Sequence, residues 1–277
     1  MPILRRMLRR LCLSAVLAVL AVVPAPIAAQ TIEDLVRVDI LPGWRTDDGR
    51  HMAGIRIRLA PGWKTYWRAP GDSGIPPLFN WQEAENLASF GLQWPIPEVS
   101  WLNGMRSIGY KGEVTLPLEV QTIDPDAPVR ISGQMLIGIC ESVCVPVELD
   151  LEATLPADHV SRDPAIVAAL IDRPMTAEEA GVGRVTCEVA PIDGGLRVTA
   201  TMDLPRSYQS DVVIIETADP EVWVSEPEVV RRGGSLQAES ELLHVSGEPF
   251  ALDRSGVRIT VLAEEGRAVD IQGCTSG

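Results

Sequence analysis

The sequence predicts an all-β protein of two β-sandwich domains joined by a short helical linker, and three observations carry that reading. Apolar and polar residues alternate with a period of two through most of the chain after residue 30. Gly and Pro, 23 and 22 of the 277 residues, interrupt those runs at short intervals and so keep the strands short. A stretch between residues 156 and 182 carries helix-start signals and reads as a connector between the strand-rich halves. A chain of this length has room for two domains that each bury a core.

Residues 1–29 stand apart. Arg5, Arg6, Arg9 and Arg10 precede an apolar run from Leu11 to Val23, followed by Pro24-Ala25-Pro26-Ile27-Ala28-Ala29. This is the layout of a cleaved export signal, so the mature chain is expected to begin at Gln30 and to lose Cys12 with the leader. The apolar run of about 13 residues is short of the roughly 20 that span a bilayer. Nothing later is apolar enough to span, so no stable membrane insertion is expected after cleavage.

Residues 30–155 read as the first sandwich. Ile55, Ile57 and Leu59 alternate with Arg56, Arg58 and Ala60, and Val114, Leu116, Leu118 and Val120 with Thr115, Pro117 and Glu119. Val147, Leu149, Leu151 and Ala153 alternate with Glu148, Asp150 and Glu152. Between Pro61 and Trp101 the density of Pro, Gly and Trp predicts long ordered loops. In the linker, residues 156–182, Asp163-Pro164 is an N-cap and first-turn pair for a helix over Ala165–Asp172 that Pro174 stops. Thr176-Ala177-Glu178-Glu179 has capping-box spacing. Residues 183–277 return to strands: Val185, Cys187 and Val189; then Leu196, Val198, Ala200 and Met202 after an Asp193-Gly194-Gly195 turn. Val212–Ile215, the Val257, Ile259, Val261 set, and Val269 with Ile271 complete a second sandwich.

Charge excludes two classes of partner. The formal net charge is −14, and without the four leader arginines it is −18 (20 cations against 38 acids). Such a body is unsuited to nucleic acid, whose phosphates need Lys and Arg, and to anionic membrane surfaces.

Four cysteines remain after the leader, an even number in a compartment where disulfides persist. Bridging Cys187 to Cys274 closes a loop of 88 residues, worth roughly 4–5 kcal/mol in the chain-entropy model; that pair reads as a structural disulfide. Cys140 and Cys144 stand between two strand-like runs, with spacing that suits a hairpin turn and a bridge. As a staple this pair achieves little, about 2 kcal/mol for so small a loop. A tight bridge at an exposed tip is suited to exchange with an incoming thiolate, and a permanent bridge stays open as the alternative. Glu141 opposes thiolate formation at Cys140, which favours a pair that reacts with a dedicated partner over a strongly activated nucleophile.

Several motifs in order carry a resemblance. Gly62-Trp63-Lys64-Thr65-Tyr66-Trp67, Pro70-Gly71-Asp72-Ser73-Gly74, Gly109-Tyr110-Lys111-Gly112-Glu113-Val114-Thr115-Leu116-Pro117 and Cys140-Glu141-Ser142-Val143-Cys144-Val145-Pro146 resemble the periplasmic N-terminal domain of the thiol:disulfide interchange protein DsbD, in its ScsB-type branch. The resemblance covers about residues 32–155; the second half is similar, with weaker motifs, to the companion sandwich of ScsB-type proteins. It implies immunoglobulin-like sandwiches, a periplasmic location, no cofactor, and a thiol:disulfide oxidoreductase of the protein-disulfide reductase type. The implied partners are a membrane thiol-electron transporter as donor and periplasmic thioredoxin-like or disulfide-isomerase proteins as acceptors, in settings such as cytochrome c biogenesis or copper tolerance. By the same match Cys140 and Cys144 are the active pair, Cys144 forming the mixed disulfide and Cys140 resolving it. The family shields its pair with an aromatic cap; here that segment is Trp101–Ser107, with Trp101 and Met105 as candidates. Tyr66 and Tyr110 are candidates to flank the pair, core packing being an equal alternative. Full-length relatives continue into a membrane domain and a thioredoxin-like domain; neither occurs in this sequence, so a separately encoded donor is expected.

Rival chemistries have less support. Two thiolates with Met52, Met105 or Met135 nearby would suit Cu(I), and a non-enzymatic periplasmic adaptor with permanent disulfides is the other alternative. A zinc site lacks paired Cys-x-x-Cys knuckles, and no metal is assigned. The three histidines, His51, His159 and His244, stand near no Ser or Asp constellation, and no phosphate-binding Gly-x-x-x-x-Gly-Lys run occurs. Six of the seven Trp fall between Trp44 and Trp101, where core packing outweighs a carbohydrate-stacking surface.

Overall fold

The computed structural model describes residues 31–277 apart from 72–73, 82, 103, 206–211 and 264–265; the expected export segment, 1–29, lies outside them. The period-two runs become strands. Before the linker these are β1 (Val36–Arg45), β2 (His51–Leu59), β3 (Lys64–Tyr66), β4 (Leu78–Trp81), β5 (Leu87–Leu92), β6 (Glu98–Leu102), β7 (Met105–Lys111), β8 (Glu113–Thr122), β9 (Val129–Cys140) and β10 (Cys144–Leu155). They build one sheet in the order β1-β2-β8-β5 and another in the order β10-β9-β3-β7-β6, with β4 also on β9. Ile55, Ile57 and Leu116 of the first sheet share a buried cluster with Ile108, Met135, Ile137 and Ile139 of the second.

The segment from Pro61 to Trp101, expected as loops, contributes β3 to β6. β3 has three residues and β4 four, too few to leave a period in the sequence. Both lie along β9, Lys64 opposite Cys140 and Leu78 opposite Leu136, so long-range pairing makes them strands.

In the linker, α1 (Pro164–Ile171) starts at Asp163, whose carboxylate accepts from the Ala165 N–H at 2.8 Å and the Ile166 N–H at 3.4 Å. The helix lies on the outer face of the first sheet. A Cβ on Gly54 would come within 2.8 Å of Ile166 and 3.1 Å of Thr115, which is why Thr115, on the polar side of the β8 alternation, is buried. The Thr176–Glu179 capping box also forms, with reciprocal bonds of 2.8 and 3.2 Å, but it closes a turn; Gly181, at φ +66°, ends it before a helix can propagate.

After α1 come β11 (Met175–Thr176), β12 (Val185–Ile192), β13 (Gly195–Asp203), β14 (Val212–Glu216), β15 (Val222–Val224), β16 (Glu228–Arg232), β17 (Ser235–His244), β18 (Arg258–Ala263), β19 (Arg267–Gln272) and β20 (Thr275–Ser276). They form a sheet β11-β19-β18-β14 and a sheet β15-β17-β13-β12-β20, with β16 on β17. Cys187 of β12 is bonded to Cys274, just before β20, across a Cα–Cα distance of 5.7 Å. Val213, Ile215, Ile259, Val261, Val269 and Ile271 fill the core of this half. The alternate residues Ile214, Leu262 and Ala268 join the cluster of Trp67 and Ile108 in the first half. The sheet of β14, β18 and β19 is therefore buried on both faces.

Two arginines cross that seam. The Arg68 Nε donates to both oxygens of Glu216 at 3.1 Å, its Nη2 donates to Thr260 Oγ1 at 3.0 Å, and the guanidinium lies 3.8 Å over the Trp67 ring. Arg106 pairs with Glu226 at 3.1 Å. Among the described residues, no helix is long and apolar enough to cross a membrane.

Candidate functional site

β9 and β10 run together into a hairpin whose last paired residues, next to the turn, are Cys140 and Cys144. Residues directly opposite in an antiparallel ladder have Cα atoms about 4.5–5.5 Å apart, within the span of a disulfide. Both are thiols in the structure, Cys140 buried at 4% exposure and Cys144 exposed.

The burial of Cys140 needs a local cause. Alternation along β9 turns Met135, Ile137 and Ile139 into the core and Leu136, Gly138 and Cys140 to the other face. There Tyr66 and the loop after β3 supply a cover. The Tyr66 ring, 1% exposed, is held between two glycines. A Cβ on Gly138 would lie 2.9 Å from one ring edge, and one on Gly74 2.8 Å from the other. Ile75 closes over Gly138, where the same added Cβ would come within 2.7 Å of it. Thr65 fixes the strand from the opposite face, its hydroxyl donating to the Gly138 carbonyl at 2.9 Å.

The Tyr66 hydroxyl sits 2.8 Å from the Cys144 Sγ. Burial, then the hydrogen bonds of the two thiols, push the Tyr66 phenol up, so it stays protonated and can donate to a sulfur that becomes anionic. Burial likewise pushes the Cys140 thiol up, with the neighbouring Cys144 adding to it, while the Tyr66 hydroxyl and the Lys64 ammonium act in the opposite direction. An accessible sulfur beside a hydroxyl donor, backed by a shielded one across the hairpin, is arranged for attack followed by internal closure.

The other candidates separate. Tyr110 lies opposite Thr65 and faces the core, its hydroxyl donating to the Pro95 carbonyl at 2.8 Å. Trp101 and Met105 flank the tip of the β6–β7 hairpin, 57% and 44% exposed. Glu141 leaves the turn toward Gly62, where its carboxylate would meet a Cβ at 3.3 Å. Of the methionines considered for copper, Met135 faces the core and Met52 packs beside Leu41 and Trp44 in a different cluster, so neither joins the thiols. Asp219, Glu221 and His244 bring their ligand atoms within 4.8 Å of one another. The His244 Nδ1, however, accepts from the Ser246 N–H at 3.2 Å, which leaves the proton on Nε2 facing the carboxylates. Gly74, Ile75 and Gly138, which build the cover, were missed by sequence reasoning. Gly138, two residues before Cys140 and so on the same face, was the available signal.

Residues 35–156 match the family model described as thiol:disulfide interchange protein DsbD, N-terminal. No curated protein sequence matches the chain. Among solved structures, the N-terminal periplasmic domain of ScsB from Proteus mirabilis superposes with a TM-score of 0.65 at 21% identity, over 90% of this chain and 97% of that one. At that identity the likeness establishes the fold, which extends through both sandwiches. Residues 35–156 of this protein therefore match the DsbD N-terminal family, in a chain with the fold of the ScsB N-terminal periplasmic domain.

Proposed function

We propose that the protein is a periplasmic thiol–disulfide exchange protein that relays reducing equivalents through Cys140 and Cys144. The match of residues 35–156 to the DsbD N-terminal family supports a thiol–disulfide interchange domain, and one observation carries the residue assignment: the two thiols face each other at a hairpin end, one exposed and one covered. The Cys144 thiolate attacks a disulfide of a thioredoxin-like or isomerase-type partner, forming a mixed disulfide and releasing the partner's first thiolate. The Cys140 thiolate then attacks Cys144 Sγ; the Cys140–Cys144 bond forms, and the partner's second sulfur leaves with the electron pair. A membrane thiol donor reverses the change, returning two electrons and two protons to the pair. Met105, exposed and on the face of β7 that carries Ser107 and Lys111, is the proposed shield that moves when a partner docks; Trp101, opposite Arg106, stands on the other face of that hairpin.

The test is mass-shift thiol trapping in cells, with Cys140→Ala used to arrest the mixed disulfide. A Cys140–Cys144 pair that cycles with donor supply, and a partner captured through Cys144, are the expected results. A pair that stays oxidised whatever the donor, with no capture by Cys140→Ala, defeats the proposal. Retention of partner binding and phenotype in the Cys140→Ala/Cys144→Ala double variant would point to the adaptor reading instead.

A further inference from the structure

The row of side chains that contains the cysteines continues beyond them. Cys144 lies opposite Cys140, Cys140 opposite Lys64 of β3, and Lys64 opposite Lys111 of β7. Directly opposed residues share a sheet face, so four strands align these side chains in one line. The chain carries 24 basic residues, yet Lys64 and Lys111 are its only lysines. All the other cations are arginines, and both lysines fall on the cysteine row.

The two lysines are differently engaged. Lys111 points to solvent and pairs with Glu98 at 2.9 Å. Lys64 is half-buried, and among the described residues no carboxylate lies within ion-pair distance of it, in a protein where acids outnumber bases by 38 to 24. Its ammonium is held by a neutral acceptor, the hydroxyl of buried Ser107, at 3.0 Å, and lies 5.9 Å from the centroid of the Tyr66 ring. A lysine ammonium is a compact point charge with three donors; its bond to the neutral Ser107 hydroxyl does not cancel that charge beside the covered sulfur.

We infer that Lys64 is a positioning residue for the exchange reaction, its Ser107-anchored ammonium stabilising the Cys140 thiolate that resolves the mixed disulfide. The inference rests on the exchange reading above and adds to it the group that makes a covered thiol usable. In the resolving step Cys140 first yields its proton to solvent. Its sulfur then supplies the electron pair that forms the bond to Cys144 Sγ, the bond from Cys144 to the partner sulfur breaks, and the partner leaves as a thiolate. The groups facing Cys140 are Cys144 from β10 and Tyr66 and Lys64 from β3. Glu141 is turned toward Gly62, and Lys111 is matched by Glu98. Among the described residues, Lys64 is thus the cation of the set that no acid neutralises.

The experiment titrates Cys140 by ultraviolet thiolate absorbance, taken as the difference between Cys144→Ala and Cys140→Ala/Cys144→Ala proteins. It is run with Lys64, Lys64→Met and Lys64→Arg. Lys64→Met is expected to raise the midpoint by about half to one pKa unit, a roughly three- to tenfold loss of thiolate below the midpoint. It should slow the closure of a Cys144–glutathione mixed disulfide by the same factor, and Lys64→Arg should restore most of both. Ser107→Ala, which frees the ammonium without removing it, should shift the midpoint in the same direction by less and serves if Lys64→Met does not fold. An unmoved midpoint in folded Lys64→Met or Ser107→Ala overturns the inference, as does a shift that Lys64→Arg fails to rescue. The titration needs neither partner nor donor, so it decides the role of Lys64 separately from whether the native pair passes electrons to another protein.

Discussion

Replacing Arg68 by Ala should destabilise the seam between the two sandwiches by about 3–5 kcal/mol, the range for removing one partner of a buried ion pair. The Arg68 side chain is 10% exposed, against 22% for Glu216 and 18% for Asp270. Its loss leaves Glu216 without the two 3.1 Å bonds it accepts and Thr260 without a 3.0 Å donor. Asp270 keeps its bonds from Arg258 at 2.8 and 2.9 Å, which holds the loss toward the lower end. Within that total the Trp67 stack, 3.8 Å from the guanidinium, accounts for about 1–2 kcal/mol, between the exposed and desolvated values for a cation over a ring. Burial lowers the Arg68 pKa despite the two carboxylates, so desolvation outweighs their attraction. An apolar pair, Arg68→Met with Glu216→Leu, should accordingly recover most of the stability. Thermal unfolding is the assay: at about 2–4 °C per kcal/mol for a body of this size, Arg68→Ala should melt roughly 6–20 °C lower. A melting point within about 2 °C of the native protein, or strict additivity of Arg68→Ala and Glu216→Ala in a double-mutant cycle, would refute the reasoning.

Three further outcomes follow from the same geometry. Replacing Cys187 and Cys274, 87 positions apart, should remove about 4–5 kcal/mol; chemical denaturation of a Cys187→Ala/Cys274→Ala variant reads it, and thiol exchange at Cys144 should persist. Gly138→Ala would place a Cβ 2.9 Å from the Tyr66 ring and 2.7 Å from Ile75. The displaced ring should leave Cys140 labelled by a small alkylating reagent about tenfold faster, the equivalent of 1–2 kcal/mol of overpacking; an unchanged rate would mean that Tyr66 is not the cover. Burial lowers His51 below its ordinary 6.5, outweighing the hydrogen bond to the Pro42 carbonyl. The unfolded chain then binds more protons than the folded one as pH falls. The contribution of His51 is therefore full above pH 6.5 and lost on descent toward the folded value. Ring-proton NMR should give a midpoint under 6.5, and a midpoint at or above 6.5 would contradict the burial argument.

Much of the scaffold was legible along the chain. The runs at Ile55–Leu59, Val114–Val120 and Val147–Ala153 became strands in β2, β8 and β10, and Asp163-Pro164 started α1. β3 and β4 were not legible, because three or four residues carry no period and gain their ladder only from β9. Thr115 read as an outward residue until α1 covered it, and the Thr176 capping box read as a helix start although only its turn formed. At the candidate site, the hairpin that sets Cys140 opposite Cys144 was readable from their spacing. The choice between the two tyrosines was not, since Tyr66 and Tyr110 sit in similar motifs and differ by which sheet face each occupies.

By itself the sequence determined the strand-rich class, the hairpin that pairs two cysteines and the acidic surface, because alternation, turn residues and charge are local properties of the chain. Tertiary structure alone decided which cysteine is covered, which tyrosine touches the other, and that both lysines fall in their row. Those outcomes depend on register between strands far apart in sequence, where a shift of one residue turns every side chain to the opposite face.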